Sequence, residues 1–322
     1  MKRIAVADIG GTHARFALAA IEGGRVASLS EPLTLRTSEH PSFELAWEEF
    51  GRCLGKQLPD ELAIAFAGPV EGELLKLTNS PWAIRPRLIE AELGLKGHMI
   101  VNDFGAVAHA VAMLGEEHFR HLCGPDRPLP GTGVISILGP GTGLGVAALL
   151  RSAAGVEVVE TEAGHVGFAP LDGLEDEILA LLRTEFGRVS AERVASGPGL
   201  SNLYRALGTI EGRSLQFEDG GQLWEAALSG SDSLARAALD RLCLILGAVA
   251  GDIALAQGAA AVVIGGGVGI RISDHLLQSG FHDRFVSKGR FERRMGELPV
   301  KLITYPQPGL YGAAAAFAKE RG

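Results

Sequence analysis

An α/β protein of about two domains is the fold class that the sequence predicts. The chain has 322 residues, of which 47% are hydrophobic and only 6% aromatic, and its 44 glycines form no low-complexity tract. Apolar runs typical of buried strands alternate with longer helical segments. One local plan, a strand, a glycine–threonine turn and a returning strand, occurs twice, which indicates a weak internal repeat of two lobes.

The two predicted hairpins come first in each lobe. Residues 4–7 and 14–18 flank the turn Gly10-Gly11-Thr12, and residues 134–138 and 146–150 flank the glycine-rich segment 139–145. Further strands are predicted at 63–67, 98–101, 261–264 and 301–305. Helices are predicted at 103–114, 175–185, 191–194, 200–205, 233–246 and 309–319. The glycine- and proline-rich segment 124–133 predicts a boundary between the lobes.

The charge and the termini exclude several classes of protein. The net charge is −8 and no cluster of lysine and arginine marks a nucleic-acid or membrane surface, so neither partner is predicted. The N-terminus reaches Asp8 after a short apolar run and is not a signal peptide. The apolar segment 247–267 is interrupted by Asp252 and Gln257, which favours a buried helix followed by a buried strand over a membrane span.

The cysteines indicate a reducing compartment. Cys53, Cys123 and Cys243 are an odd number, are widely spaced and form no CxxC motif. Reduced thiols in a cytoplasmic protein are the simplest interpretation.

The two glycine turns are candidate phosphate-binding sites. Glycine lets backbone N–H groups approach an anion closely, and Thr12 and Thr142 add hydroxyl donors. Asp8 stands where a carboxylate could hold Mg²⁺, directly or through water. Two ordinary hairpin turns are the alternative. Neither a GxxxxGK[ST] motif nor a GxGxxG after a strand is present, which disfavours P-loop and Rossmann chemistry.

Polar residues in the middle of the chain suit a polyhydroxylated ligand. Asn102 and Asp103 follow a predicted strand and open a helix, so they are either a helix N-cap or a general base with its neighbouring amide. Glu162 and His165 flank a tight turn and could face one site. His165 could equally be structural, and Glu192 could simply favour the first turn of a short helix. Together these residues are the donors and acceptors that sugar hydroxyls need.

Several motifs together resemble the bacterial glucokinase family. They stand in family order and span nearly the whole chain, so the resemblance is more specific than any one motif. The residues that carry it are 8–15 (DIGGTHAR), 77–82 (LTNSPW), 101–104 (VNDF), 139–145 (GPGTGLG), 162–166 (EAGHV), 190–194 with 196–200 (SAERV and SGPGL) and 308–310 (PGL).

This resemblance implies an actin-like (ribonuclease H-like) sugar kinase fold: two α/β lobes, 1–105 with 306–322 and 106–305, and a cleft between them. It implies ATP- and Mg²⁺-dependent phosphorylation of glucose to glucose 6-phosphate, the first step of glycolysis, by a homodimeric cytoplasmic enzyme. Asp103 would be the catalytic base for the 6-hydroxyl. The other glucose ligands would be Asn79, Asn102, Glu162, His165 and Glu192. The ATP phosphates would be bound by Asp8, Gly10, Gly11, Thr12, Gly139, Gly141, Thr142 and Gly143, with Asp8 toward the metal and Gly265, Gly266 and Gly267 beside the adenosine.

Two departures and three alternatives accompany the resemblance. His13 stands where the family usually has Asn, and Ala163 where Gly is common. The cysteine-rich zinc motif of the related repressor–kinase group is absent, which places the chain in a zinc-free branch. The alternatives are a kinase for another hexose, a sugar-sensing regulator, and a phosphatase or ATPase of the same superfold. Asp103 and the lack of room for a helix-turn-helix argue against the regulator, and the sugar-ligand set argues against the last alternative.

Overall fold

Two six-stranded sheets form the framework of the computed structural model, which describes residues 1–77 and 80–321. The chain divides into two compact units: unit 1 is Met1–Gly115 with Tyr305–Gly322, and unit 2 is Glu116–Thr304. The lobe boundaries implied by the family resemblance stay a prediction. The segment 124–133, however, lies inside unit 2 and does not separate the units. It is bound to its own unit, because the Leu129 N–H donates to Glu116 and the Arg127 guanidinium donates to the Glu297 carbonyl.

The elements follow one another with few long loops. The strands are β1 (Lys2–Ile9), β2 (His13–Glu22), β3 (Arg25–Leu29), β4 (Leu33–Arg36), β5 (Glu61–Phe66), β6 (Leu75–Lys76), β7 (Ala83–Ile84), β8 (Gly97–Asn102), β9 (Phe119–Cys123), β10 (Gly133–Pro140), β11 (Leu144–Ser152), β12 (Gly155–Thr161), β13 (Ala261–Ile264) and β14 (Val300–Ile303). The helices are α1 (Phe43–Leu54), α2 (Ile89–Leu93), α3 (Asp103–Met113), α4 (Gly173–Phe186), α5 (Gly197–Glu211), α6 (Gly220–Ser229), α7 (Ser233–Ala256), α8 (Gly266–Arg271), α9 (Ser273–Gln278), α10 (Phe281–Val286), α11 (Glu292–Gly296) and α12 (Pro308–Arg321).

The sheet of unit 1 has the order β3-β2-β1-β5-β8, and β4 also pairs with β2. The strands β1 and β2 are an antiparallel hairpin, whereas β1, β5 and β8 run parallel. Helices α3 and α12 cover one face, where the alanines of α12 allow close packing on the sheet. The other face is covered by an aromatic cluster. Its members are Phe16, Phe43, Trp47, Phe50 and Trp82.

The sheet of unit 2 repeats this plan. Its order is β12-β11-β10-β13-β14-β9, with β10 and β11 as the antiparallel hairpin and β10, β13 and β14 parallel. The core of the unit centres on α7, a buried helix of 24 residues that contacts α5, α6 and α10. In both units, therefore, a glycine turn joins the hairpin at the end of a strand whose other neighbour is parallel, which confirms the internal repeat.

The strands and helices predicted from the sequence lie within a few residues of their predicted bounds, apart from residues 191–194 and from helices α5 and α7, which are longer than predicted. Residues 191–194 form only a 3₁₀ turn, Ala191–Arg193, rather than an α-helix. Helix α5 begins at Gly197 because Ser196 caps it and Pro198 fits its first turn, and α7 continues to Ala256. Segment 247–267 is a buried helix end followed by β13, as predicted. In the part of the chain that the structure describes, no helix is both long and apolar enough to span a bilayer.

Candidate active site

The first glycine turn, Gly10-Gly11-Thr12, joins β1 to β2. The Gly10 N–H donates to the His13 carbonyl at 2.9 Å, and this bond closes the turn. Thr37, which is buried, fixes the turn from one side: its hydroxyl donates to the Gly11 carbonyl at 2.8 Å and its N–H donates to the Thr12 carbonyl at 3.1 Å. The Gly11 and Thr12 carbonyls are thus both hydrogen-bonded to Thr37, and Thr12 is exposed to solvent.

Asp8 lies near the end of β1, directly before this turn. Its register partner on β2 is Arg15, whose Nη1 lies 3.4 Å from Asp8 Oδ2. The carboxylate also packs against Gly309 in the first turn of α12, where a β-carbon would come within 3.0 Å of it. Burial raises the pKa of Asp8, and Arg15 opposes that rise. The side chain keeps 22% of its surface exposed.

Asn102 caps helix α3 and thereby places Asp103 in the first turn. The Asn102 Oδ1 accepts from the N–H groups of Phe104 (2.9 Å) and Gly105 (3.1 Å), and its Nδ2 donates to the Gly68 carbonyl at 3.1 Å. The sequence left open whether Asn102 and Asp103 are a helix N-cap, and for Asn102, which is 8% exposed, the N-cap is correct. Asp103 is the next residue; it is half-buried, and its Oδ1 accepts from the Phe104 N–H at 2.9 Å.

The second glycine turn joins β10 to β11 in unit 2. The Gly141 N–H donates to the Gly143 carbonyl at 2.8 Å, and the Gly197 N–H at the start of α5 donates to the Gly141 carbonyl at 2.7 Å. Thr142 at the tip is exposed, as Thr12 is in the first turn. Two separate glycine turns thus end in exposed threonines, each held by neighbouring backbone.

The glycines after β13 lie beside this second turn. The Gly265 N–H donates to the Leu138 carbonyl at 2.7 Å. Gly266 has a positive φ of 73° and packs so closely on the Pro140 carbonyl that a β-carbon would overlap it. Gly267 is exposed at the start of α8.

Three of the predicted sugar ligands converge in unit 2. Glu162 precedes the 3₁₀ turn Ala163–His165, whose last residue is His165, and His165 Nε2 lies 3.8 Å from Glu162 Oε2. On the other side, His165 Nδ1 lies 4.0 Å from Oε1 of Glu192. The side chains of Glu162 and His165 are 60% and 55% exposed, and that of Glu192 is 27% exposed. The cluster is therefore open to a ligand and rich in hydrogen-bonding atoms.

Glu192 also reaches the second glycine turn. Its Oε2 accepts from the Leu144 N–H at 3.0 Å, and a β-carbon on Gly143 would overlap the same oxygen. Gly164 packs on the Leu144 carbonyl, again with no room for a side chain. The carboxylate cluster and the glycine turn are thus in direct contact.

The described residues divide the predicted site between the units. Unit 1 contains Asp8, the first turn, Asn102 and Asp103; unit 2 contains the second turn, Gly265–Gly267 and the Glu162–His165–Glu192 cluster. Asn79 lies outside the described residues. Within the described residues, 1–77 and 80–321, no group of three or more His, Cys, Asp or Glu side chains is arranged to hold a metal ion. A magnesium ion bound with a nucleotide needs no such group, because it takes one or two carboxylates and completes its shell with phosphates and water.

Four residues that support the site were given no role from the sequence: Arg15, Thr37, Leu144 and Gly309. All but Thr37 lie within the motifs 8–15, 139–145 and 308–310. Arg15 could have been found from the alternation along β2, since its register partner is Asp8. Thr37 and Leu144 act through backbone or hydroxyl bonds that leave no pattern in the sequence. Gly309 contacts Asp8 from the opposite end of the chain.

Comparison with solved structures gives the class of protein. A glucokinase from an Antarctic psychrotroph superimposes with a TM-score of 0.84 at 33% identity, covering 98% of both chains. A ROK family glucokinase from Streptomyces griseus, in complex with glucose and AMPPNP, has a TM-score of 0.65 at 20% identity over 98% of this chain and 99% of that one, which shows the fold alone. The fold is the two-lobed actin-like fold of sugar kinases, as predicted.

Sequence comparison gives the family. The family model Glucokinase matches residues 5–320. A glucokinase from Zymomonas mobilis is 62% identical over 317 residues, which cover 98% of each chain. The chain belongs to the glucokinase family and is an enzyme, which confirms the resemblance drawn from its motifs.

Proposed function

We propose that Asp103 is the catalytic base of this enzyme and that Glu162, His165 and Glu192, together with Asn102 and Asn79, bind the sugar. The reaction is the one for which the family is named: phosphorylation of glucose to glucose 6-phosphate with ATP as the donor. The cluster of Glu162, His165 and Glu192 against a glycine turn carries the proposal. In unit 2 the side-chain oxygens of this cluster, which can accept hydrogen bonds from sugar hydroxyls, lie beside the glycine turn whose backbone N–H groups can bind phosphate.

The role of Asp103 follows from its place at the end of β8. Asn102 accepts from the Phe104 and Gly105 N–H groups, so the capping bond that Asp103 accepts from the Phe104 N–H is one that Asn102 shares. The half-buried Asp103 carboxylate orients the 6-hydroxyl of glucose and accepts its proton. Phosphoryl transfer proceeds through a loose transition state, so alignment of the hydroxyl matters more than early removal of its proton.

The glycine turns bind the ATP phosphates in this proposal. Residues Gly10 to Thr12 and Gly139 to Gly143 offer backbone N–H groups, and the exposed hydroxyls of Thr12 and Thr142 add donors. Gly265 to Gly267 lie beside the second turn. In this proposal they contact the adenosine of ATP. Donors fixed by the fold stabilise developing charge without reorganising during the reaction.

Asp8 is the residue that would hold Mg²⁺. Its side chain is partly exposed and precedes a phosphate-binding turn, which is the donor set that a nucleotide-bound Mg²⁺ takes. The ion would neutralise charge on the transferred phosphoryl group. Arg15 and the first turn of α12 keep the Asp8 carboxylate in place. We further propose that the enzyme is cytoplasmic, homodimeric and free of structural zinc.

Replacement of Asp103 tests the assignment of the base. We expect Asp103→Asn to lower kcat by roughly 10²–10⁴-fold, the range for lost general-base catalysis, while glucose binding persists. A coupled assay with ATP gives kcat, and calorimetry gives glucose affinity. Asp176→Asn is the matched control, since it also removes a carboxylate from the first turn of a helix but on an exposed surface. Near-normal turnover of the Asp103 variant would remove this residue from the role.

Replacement of Glu162 tests the sugar site. Glu162→Gln retains shape and loses charge, so we expect a higher KM for glucose with a smaller change in kcat. The loss of one charge-assisted hydrogen bond corresponds to roughly 1.5–3 kcal/mol, or about ten- to a hundredfold in affinity. An unchanged KM for glucose would contradict the proposed sugar site.

A further inference from the structure

We propose that Glu192 couples sugar binding to nucleotide binding within unit 2, because one carboxylate serves both subsites. This inference rests on the proposed function of the site and assigns Glu192 a second task. One oxygen faces the sugar cluster, 4.0 Å from His165 Nδ1. The other accepts the Leu144 N–H of the second glycine turn at 3.0 Å.

The surrounding backbone makes this contact specific. The 3₁₀ turn Ala163–His165 and the segment that carries Glu192 are joined by a hydrogen bond, since the Ala191 N–H donates to the carbonyl of Val166, directly after the turn, at 2.8 Å. The Leu144 backbone contacts both segments: its N–H donates to Glu192, and its carbonyl packs on Gly164. A side chain at Gly143 or Gly164 would break this packing.

The consequence is a thermodynamic linkage. A sugar that orders the Glu192 carboxylate also orders the acceptor for the Leu144 N–H, and hence the turn that receives the phosphates. By reciprocity, any nucleotide that fixes the turn strengthens sugar binding by the same factor. Gly143 is required because only glycine leaves room for the carboxylate.

A pair of glycine-to-alanine substitutions in unit 2 tests the coupling. We expect Gly143→Ala to weaken glucose binding about tenfold or more in the absence of nucleotide, because the new methyl group displaces the Glu192 carboxylate. Gly173→Ala at the start of α4 is the control: Gly173 is exposed, has no role in the proposed site, and its methyl group would meet no atom within 4 Å. Glucose affinity of this control should remain that of the wild type. Calorimetry with glucose alone gives both values, and thermal unfolding checks that each variant is folded.

A double substitution shows whether the effect passes through Glu192. If it does, Gly143→Ala adds little further loss of glucose affinity to Glu192→Ala, so the two effects are not additive. Fully additive losses would mean that Gly143 acts by another route and would overturn the proposal.

The reverse direction is tested with the nucleotide analogue AMPPNP and Mg²⁺ in the absence of sugar. Glu192→Ala removes the acceptor of the Leu144 N–H and should weaken AMPPNP binding severalfold. Glu162→Ala removes a sugar ligand that lies beside His165, and should leave AMPPNP binding unchanged. This arm remains available if Gly143→Ala does not fold.

The outcomes separate the coupling from the function on which it rests. Wild-type glucose affinity in Glu192→Ala would mean that Glu192 is not a sugar ligand, so the proposed function would fail. Weakened glucose binding in Glu192→Ala, with unchanged glucose binding in Gly143→Ala and unchanged AMPPNP binding in Glu192→Ala, would leave the function intact and refute the coupling.

Discussion

Asp8, the proposed magnesium ligand, shows at the level of a single residue how a buried charge opposes stability. The carboxylate lies against Gly309, and among the described residues its ion-pair partner is Arg15 at 3.4 Å. Burial raises its pKa above the ordinary value of 3.8, so the folded state holds the ionised form less favourably than the unfolded chain does. The sign of the linkage follows: Asp8 lowers stability at neutral pH, and this penalty disappears below pH 3.8, where both states bind the proton.

The substitution Asp8→Asn should therefore stabilise the protein while impairing catalysis. We expect the midpoint of thermal unfolding at pH 7.5 to rise by a few degrees, given that ~1 kcal/mol moves the midpoint by roughly 2–4 °C in domains of 150–250 residues. The difference from the wild type should vanish near pH 3, and kcat with Mg²⁺ and ATP should fall. A lower midpoint at neutral pH would contradict the destabilising role of Asp8.

The contact between α3 and α12 is the element on which the position of Asp103 depends. Gly312 of α12 packs directly on the carbonyl of Ala106, one turn after Asp103 on α3. A helix–helix approach this close requires glycine at the crossing. Because α3 carries the proposed base at its first residue, the packing of α12 determines where the base lies.

We predict that Gly312→Ala destabilises the protein by roughly 1–3 kcal/mol, the usual cost of overpacking a core, and lowers kcat because α3 must shift. Urea unfolding measures the first effect and the coupled assay the second. Gly220→Ala in α6 is the control, because its methyl group would meet no atom within 4 Å and alanine favours a helix. Equal stability of the two variants would show that the crossing tolerates a side chain.

Helix α7 illustrates why sequence patterns misjudge the length of an element. The sequence predicts its end at residue 246. Gly247 and Gly251 lie beyond that residue, and glycine is a poor helix former. In the structure the helix continues to Ala256, since both glycines lie under α10, against the carbonyls of Phe281 and Phe285. Close packing on α10 thus explains why glycines that would favour a helix end lie in the interior of this helix.

At the scale of the whole molecule, a few ion pairs hold distant helices of unit 2 together. Arg241 of α7 contacts Asp172 at 2.6 Å and Glu175 at 2.9 Å, and Arg284 of α10 pairs with the same two carboxylates. Glu175 is almost fully buried, with 1% of its surface exposed. Burial acts to raise the pKa of Asp172, but the hydrogen bonds from Glu175 N–H and the two arginines outweigh it and lower that pKa below 3.8.

Removal of one cation from this network should cost stability and increase acid sensitivity. We expect Arg241→Gln to lower the free energy of unfolding by roughly 1–3 kcal/mol at pH 7, because the buried Glu175 carboxylate loses one of its two arginine partners. Asp172 contributes stability that is present above pH 3.8 and is lost as the pH falls through its lowered folded pKa. Without Arg241 that folded pKa rises, so acid unfolding should begin at a higher pH.

Urea unfolding at pH 7 and an acid titration followed by circular dichroism measure these two effects. Arg293→Gln is the matched control, since Arg293 is 94% exposed and its pair with Glu297 is a surface ion pair of little weight. A variant of Arg241 with the same acid midpoint as the wild type would show that the network does not set acid stability.

The sequence predicts the local parts of this site well and their long-range supports poorly. Both glycine hairpins and the strand before Asp103 were predicted within a few residues, because a strand, a turn and its glycines are neighbours in sequence. The contacts of Asp8 with Gly309 and of Glu192 with Leu144 join residues that are far apart in the chain. Hydrophobic periodicity and turn chemistry contain no signal for such pairs, so only the folded chain reveals them.

The bond from the Leu144 N–H to Glu192 has a practical consequence for anyone who wishes to retarget this enzyme to a different hexose. In the role proposed for Glu192, randomising position 192 would change the binding of the nucleotide along with the choice of sugar. Position 162 is the better place to diversify, because its carboxylate is 60% exposed and lies beside His165.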